Sequence, residues 1–180
     1  AALTFVTGLH DLPAADAGSA PLNTWYSETS GGSSLAQLAE IWAFDGVLGF
    51  SAGAATAMAV VARPEQFPGL RFAILAGAPE QPSPFDAEFW GSPAGAQPLS
   101  TPSLFFVSPQ DAAVPMASSL AASRRFVNPR VHEHDKGHAL PTRQIDIRAV
   151  AEFLAQFAPP EPTAARAHRQ KGQKGQKGEE

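Results

Sequence analysis

Apolar residues along this chain alternate between short unbroken runs and a rhythm of three to four residues, and the switches between the two divide it into elements. Residues 3–6, LTFV, form a short β-prone run ending near Gly8 and predict a buried strand. Residues 8–21, GLHDLPAADAGSAP, predict a loop. In residues 33–44, SSLAQLAEIWAF, Leu35, Leu38, Ile41 and Trp42 recur at helical spacing, with Ser33 or Ser34 as the cap of an amphipathic helix. Residues 46–50, GVLGF, are wholly apolar, as in a strand from the middle of a parallel sheet.

The Ala-rich stretch that follows, residues 52–67, predicts a helix that stops before Pro64, because the residue preceding a proline is driven out of the α region. RFAILAG (71–77) and SLFFVS (103–108) predict two further strands. Between them, residues 79–102 carry much Pro, Gly and Phe together with Trp90, and predict a long loop or a small lid. Residues 115–126 predict a helix with Pro115 at its first position, residues 129–134 a strand, and residues 141–157 a closing helix with Pro141 near its start. Strands alternating with helices imply right-handed βαβ units: an α/β fold built on a mostly parallel sheet flanked by helices.

Length and charge narrow the picture. A chain of 180 residues accommodates one domain with a real core. Residues 1–165 hold 8 Lys/Arg against 15 Asp/Glu, a net of −7, whereas residues 166–180 hold 5 against 2, a net of +3. An acidic body lacks the clustered cations that phosphate contacts require, so nucleic acid is not an expected partner. The boundary is expected at PPEPT (159–163), giving a domain over 1–158 and, over 159–180, a Pro-rich then Lys/Gly/Gln-rich tail with too few apolar groups to order itself. There is no cysteine, which removes disulfides, thiolate nucleophiles and cysteine zinc sites. No apolar run approaches a membrane span and no leader-like start is present, so the expected location is the cytoplasm, with the nucleus as the other option.

Ligands of open parallel sheets bind beyond the carboxyl ends of the strands, which directs attention to Ser51, Asp111 and His138. Gly49-Phe50-Ser51-Ala52-Gly53 fits G-x-S-x-G, the strand-to-helix turn that presents a serine hydroxyl above a sheet and aims the next amide, that of Ala52, at a developing oxyanion. A serine needs a base to take its proton and a third group to orient that base, and the order Ser51, Asp111, His138 is that of α/β-hydrolases.

Blander roles remain open from sequence. Ser51 or Asp111 can serve as a helix cap, Asp135 competes with Asp111 as the third member, and His138 can be a solvated loop histidine. His10 stands where it can approach the site from the loop after the first predicted strand. His132 and His134 form H-x-H on one strand face, but no third ligand is evident nearby, so packing or solvent is expected in place of metal. Phe50, Phe85, Phe89 and Trp90 are candidates to line an apolar acyl pocket, and core packing explains the last three equally well.

These motifs match a known pattern. FDGVLGFSAGAA (44–55), PLSTPSLFFVSPQDAAVP (98–115) and HDKGHALP (134–141), with the final helix, resemble the FSH family of serine hydrolases within the α/β-hydrolase superfamily. The resemblance extends over residues 1 to about 158. It implies Ser51 as nucleophile, His138 as general base and Asp111 as orienting acid. Hydrolysis of a small carboxylic ester or thioester is implied, with no metal or organic cofactor; a silent scaffold used for binding is the alternative, and a small-molecule receptor a third reading.

The chain departs from the family pattern at three places. Ser108-Pro109-Gln110-Asp111 replaces G-x-x-D, and Lys136 stands where a glycine is common before Gly137-His138. The family also has a strand, a loop and a helix ahead of the segment resembling LTFVTG, and that loop gives the second oxyanion donor. From this the sequence is expected to be incomplete at its N-terminus, or, if whole, to have low activity and an exposed sheet edge.

Overall fold

The computed structural model describes residues 10–12, 22–24, 35–80 and 90–158. Its centre is a four-stranded, wholly parallel sheet in the order β3 (Gly46–Phe50), β4 (Phe72–Ala76), β5 (Ser103–Val107), β6 (Arg130–Glu133). Ahead of it, β1 (His10–Leu12) and β2 (Leu22–Thr24) pair antiparallel, with His10 opposite Thr24. The helices are α1 (Leu35–Glu40), α2 (Ala52–Val61), α3 (Met116–Ser123) and α4 (Gln144–Leu154), the last followed by a 3-10 turn, Ala155–Phe157.

Period-two alternation along β4 and β5 builds two cores, one on each face of the sheet. Ala73, Leu75, Phe105 and Val107 point to one side, where they meet Ala54, Ala57, Met58 and Val61 of α2 and Ala122 of α3. Ile74, Ala76, Leu104 and Phe106 point to the other, against Phe153 of α4. Every residue of α2 from Ala54 to Val61 is buried, because its far side is covered too: Ala59 and Val60 pack with Leu35 and Leu38 of α1 and with Phe67. A helix enclosed on two sides must be small and apolar all round, which explains its Ala-rich sequence. Phe105 is 0% exposed, and truncating it to Ala should cost about 3–5 kcal/mol through lost transfer energy and the cavity left behind.

The α/β architecture and parallel sheet expected from the sequence are present, with several local corrections. β3 does not lie in the middle of the described sheet; it is an end strand, and Leu48 is 49% exposed on it. A wholly apolar pentapeptide signals burial without revealing on which side a neighbour runs. α1 ends at Glu40 instead of continuing to residue 44, because the Trp42 amide turns back to the Ala39 carbonyl and the Trp42 ring packs edge-on against Phe44 and Phe67. Pro115 is the N-cap of α3 and not its first helical residue, its ψ of 140° being extended. The closing helix begins at Gln144, after Pro141, with Arg143 as cap. His10–Leu12 is a short strand within the predicted loop. The strand predicted at residues 3–6 and the tail at 159–180 lie outside the described residues.

Candidate active site

Strand register brings the site together. Phe50 pairs with Ala76, Ala76 with Phe106 and Phe106 with His132, so β3 to β6 end at one level. Backbone bonds extend the ladder one residue further, from Ser51 N–H to the Ala76 carbonyl (2.9 Å), from Gly77 N–H to that of Phe106 (3.2 Å) and from His134 N–H to that of Val107 (2.9 Å). Ser51 and Gly77, with the loops that follow β5 and β6, therefore share one rim.

Ser51 turns the chain from β3 into α2 with φ 54° and ψ −120°, and it is the one non-glycine residue with positive φ among those described. Such a conformation costs of order 1–3 kcal/mol and persists only where its surroundings enforce it. Gly49 permits it: a Cβ there would lie 2.3 Å from the Gly53 carbonyl oxygen. Although Ser51 occupies the N-cap position of α2, its hydroxyl makes no capping bond. It meets His138 instead, Oγ lying 3.0 Å from Nε2.

The other ring nitrogen of His138, Nδ1, lies 2.9 Å from Asp111 Oδ2. Asp111 Oδ1 accepts the amides of Ala113 (3.0 Å) and Val114 (2.7 Å), so one oxygen fixes the turn and the other faces the imidazole. Burial alone would raise the pKa of this carboxyl. The Val114 amide, the His138 ring and the Ala113 amide outweigh it and hold the group below its ordinary range. An ionised carboxylate accepts only, so Nδ1 carries a proton, and in the tautomer protonated there alone Nε2 is the acceptor facing the Ser51 hydroxyl. Phe50 lies against the His138 ring, with centroids 4.7 Å apart. Gly77, at φ 53°, forms the floor: a Cβ there would stand 3.3 Å from His138 Cε1 and Nδ1 and 3.4 Å from Asp111 Oδ2.

Ala52 is the first residue of α2 and exposed, so its amide has no acceptor within the helix and stands beside Ser51 at the positive end of the helix dipole. Asp135, the rival to Asp111, is exposed and pairs with Arg143 Nη1 at 2.8 Å. Trp90 packs against the clusters around α2 and stacks beneath Arg125, whose guanidinium carbon is 4.3 Å from the ring centroid. Phe85 and Phe89 lie outside the described residues, as does the side chain of His10.

The H-x-H pair takes part in a second polar network behind the first. His132 Nε2 donates to Asp146 Oδ1 (2.8 Å), and Asp146, fully buried, also accepts from the Arg143 backbone N–H (3.1 Å) and Nε (3.1 Å). Burial works to raise the Asp146 pKa, but Arg143 and His132 bring it down to about 2. His134 is buried, accepts the Lys136 amide at Nδ1 (3.2 Å), and has its pKa lowered by desolvation. Among the described residues no group of three or more His, Cys, Asp or Glu is arranged to hold a metal ion, and no helix is long and apolar enough to cross a membrane.

Residues 27–150 match the family model described as serine hydrolase (FSH1). The chain belongs to this serine hydrolase family. Family relatives include esterase OVCA2 of Mus musculus, 35% identical over 119 residues, with 64% of this chain and 50% of the relative covered. Esterase OVCA2 of Bos taurus is 36% identical over 121 residues, with 64% and 51% covered. This family member thus spans about half the length of the curated relatives it matches. Its fold is similar to that of Zea mays acyl-protein thioesterase 2, with a TM-score of 0.51 and 22% identity, covering 77% of this chain and 74% of that one.

Gly77, Ser108 and Asp146 escaped sequence reasoning. Gly77 carried a usable signal, since it directly follows a buried strand on the rim where ligands bind. Asp146 stands three residues after its cap Arg143, a local spacing that was readable, whereas its bond to His132 and the bond of Ser108 to Gly137 join segments far apart in the chain.

Proposed function

We propose that this chain is a serine hydrolase that cleaves a carboxylic ester or thioester through an acyl-enzyme. The observation that carries the reading is the continuous relay from Ser51 Oγ to His138 Nε2 (3.0 Å) and from His138 Nδ1 to Asp111 Oδ2 (2.9 Å). It is supported by family membership and by the esterase names of the relatives.

Ser51 Oγ attacks the acyl carbon while its proton passes to His138 Nε2, and the carbonyl electron pair moves onto oxygen to give a tetrahedral oxyanion. The Ala52 amide donates to that oxyanion. Asp111 holds the ring in the tautomer that accepts at Nε2 and stabilises the imidazolium. Collapse of the intermediate expels the alcohol or thiol, which takes the proton from Nε2. Water then repeats the sequence on the acyl-serine, releasing the acid and restoring Ser51. The substrate is a small-molecule ester or acyl compound, approached from the exposed Ala52 side of the rim.

A second reading, a silent binding scaffold, draws on Leu48, an apolar side chain that is 49% exposed on β3 at the end of the described sheet. Turnover of p-nitrophenyl acetate and butyrate and of an acyl thioester decides between them. The hydrolase reading predicts release of product that Ser51→Ala abolishes. Binding of the same compounds without Ser51-dependent turnover supports the scaffold.

A further inference from the structure

Ser108 directly follows β5 and opens the loop to Asp111, and it is 2% exposed. Its Oγ accepts the Gly137 N–H at 3.1 Å and the Gln110 N–H at 3.3 Å, and donates to Gln110 Oε1 at 3.1 Å. One donor and two acceptor positions exhaust what a hydroxyl offers. The Ser108 carbonyl meanwhile accepts the Asp111 N–H at 3.2 Å. Ser108 is thus bonded to Asp111 and to Gly137, the residue next to His138.

The opposite side of this contact is equally close. Gly137 sits at φ 62°, and a Cβ on it would lie 3.1 Å from the Gln110 carbonyl oxygen. The two loops press together immediately before each catalytic side chain. Neither loop has regular structure between Ser108 and Pro115 or between His134 and Arg143 to hold it in place.

We propose that Ser108 is a positioning residue, a latch that fixes the histidine loop on the acid loop and so sets the His138 ring between Asp111 and Ser51. The proposal rests on the triad reading above. Its physical basis is that proton transfer tolerates little error in placement, whereas a loop residue freed of its one cross-loop hydrogen bond can shift by more than that tolerance. Gly137 is only half-buried, so water can take the place of the lost hydroxyl and the fold survives while the geometry loosens.

The test compares the rate constant for labelling of Ser51 by a fluorophosphonate in wild type, Ser108→Ala and Ser108→Thr, with the low-field proton resonance of the His138–Asp111 bond as a second readout. Ser108→Ala should label about tenfold more slowly at neutral pH, with a broadened low-field resonance and nearly unchanged melting temperature. Ser108→Thr, which keeps the hydroxyl, should restore the rate to within about twofold and the sharp resonance. In a wild type labelled at Ser51, equal rates and resonances in Ser108→Ala overturn the latch alone. Absence of Ser51 labelling in the folded wild type overturns the triad reading and the latch with it. Should Ser108→Ala not fold, hydrogen exchange of the Gly137 amide in the wild type decides: protection supports the latch, and exchange at the rate of an open loop overturns it.

Discussion

His138 Nε2 stands 3.0 Å from Ser51 Oγ although 87 residues separate them, and the contact exists because β3 and β6 end at one level of the same parallel sheet. Register, and not any local motif, delivers the histidine to the serine. Whatever moves either loop end by a fraction of an ångström is therefore felt at this contact before it is felt in the core.

The two glycines of G-x-S-x-G should behave in opposite ways. Gly49→Ala drives a methyl to 2.3 Å from the Gly53 carbonyl, backbone that cannot yield, and should cost more than about 3 kcal/mol or prevent folding. Around Gly53 nothing lies within 4 Å of a Cβ among the described residues. Gly53→Ala should gain about 0.5–1 kcal/mol, because alanine loses less entropy in a helix. Urea unfolding of the two variants checks the contrast.

Gly77→Ala should separate activity from stability. The new methyl meets His138 and Asp111 at 3.3–3.4 Å, and φ 53° adds about 1 kcal/mol of backbone strain. Expected is a loss of melting temperature of a few degrees with at least a tenfold fall in kcat/KM at little change in KM. An unaltered kcat/KM would show that the floor beneath the imidazole has room to spare.

Asp111 and Asp135 compete on paper for the role of orienting acid, and substitution distinguishes them. Asp111→Asn leaves an amide that cannot enforce the required tautomer of His138, and kcat should fall by about 10³–10⁴, as in other serine triads. Asp135→Asn removes an exposed ion pair with Arg143, worth about 0–1 kcal/mol, and should leave kcat within about twofold. Steady-state kinetics on one ester suffices.

Acid should weaken the fold in two steps. His134 has its pKa lowered below the ordinary 6.5 by burial, so the native state binds fewer protons than the unfolded chain. The stability this gives is complete above pH 6.5 and is lost as pH falls toward the native value. Asp146, lowered from 3.8 to about 2, contributes stability that is complete above 3.8 and disappears as pH falls through about 2. That contribution is of the order of 1–2 kcal/mol, discounted because the Arg143 side chain is 37% exposed and partly screened. His134→Asn, with an oxygen to accept the Lys136 amide and no titration, should remove the upper step and keep the lower, as read from unfolding free energies between pH 8 and 2.5.

How much of this was legible in the sequence depends on the range of the interaction. Ser51, Asp111 and His138 could be found because each follows a strand whose apolar run is visible, and strand ends are where such sheets carry chemistry. The place of β3 at the end of the described sheet could not, since GVLGF reads as buried whether or not a strand runs on each side of it. Trp90 was equally ambiguous: its aromatic bulk suits a pocket or a core, and only its packing around α2 with Arg125 shows which contacts it makes. Ser108 appeared in the sequence only as a departure from the family's glycine, and Lys136 as another. That a serine hydroxyl at the first position bonds the backbone next to the second is a relation between two loops, on which periodicity and composition are silent.

Whether Ser51 is an activated nucleophile is read most directly from the intact mass and peptide map of the folded protein after exposure to a fluorophosphonate. An activated Ser51 takes up a single adduct, absent from Ser51→Ala and formed at least a hundredfold more slowly in His138→Ala. A folded protein that acquires no adduct, or acquires one that Ser51→Ala leaves in place, would contradict this role of Ser51.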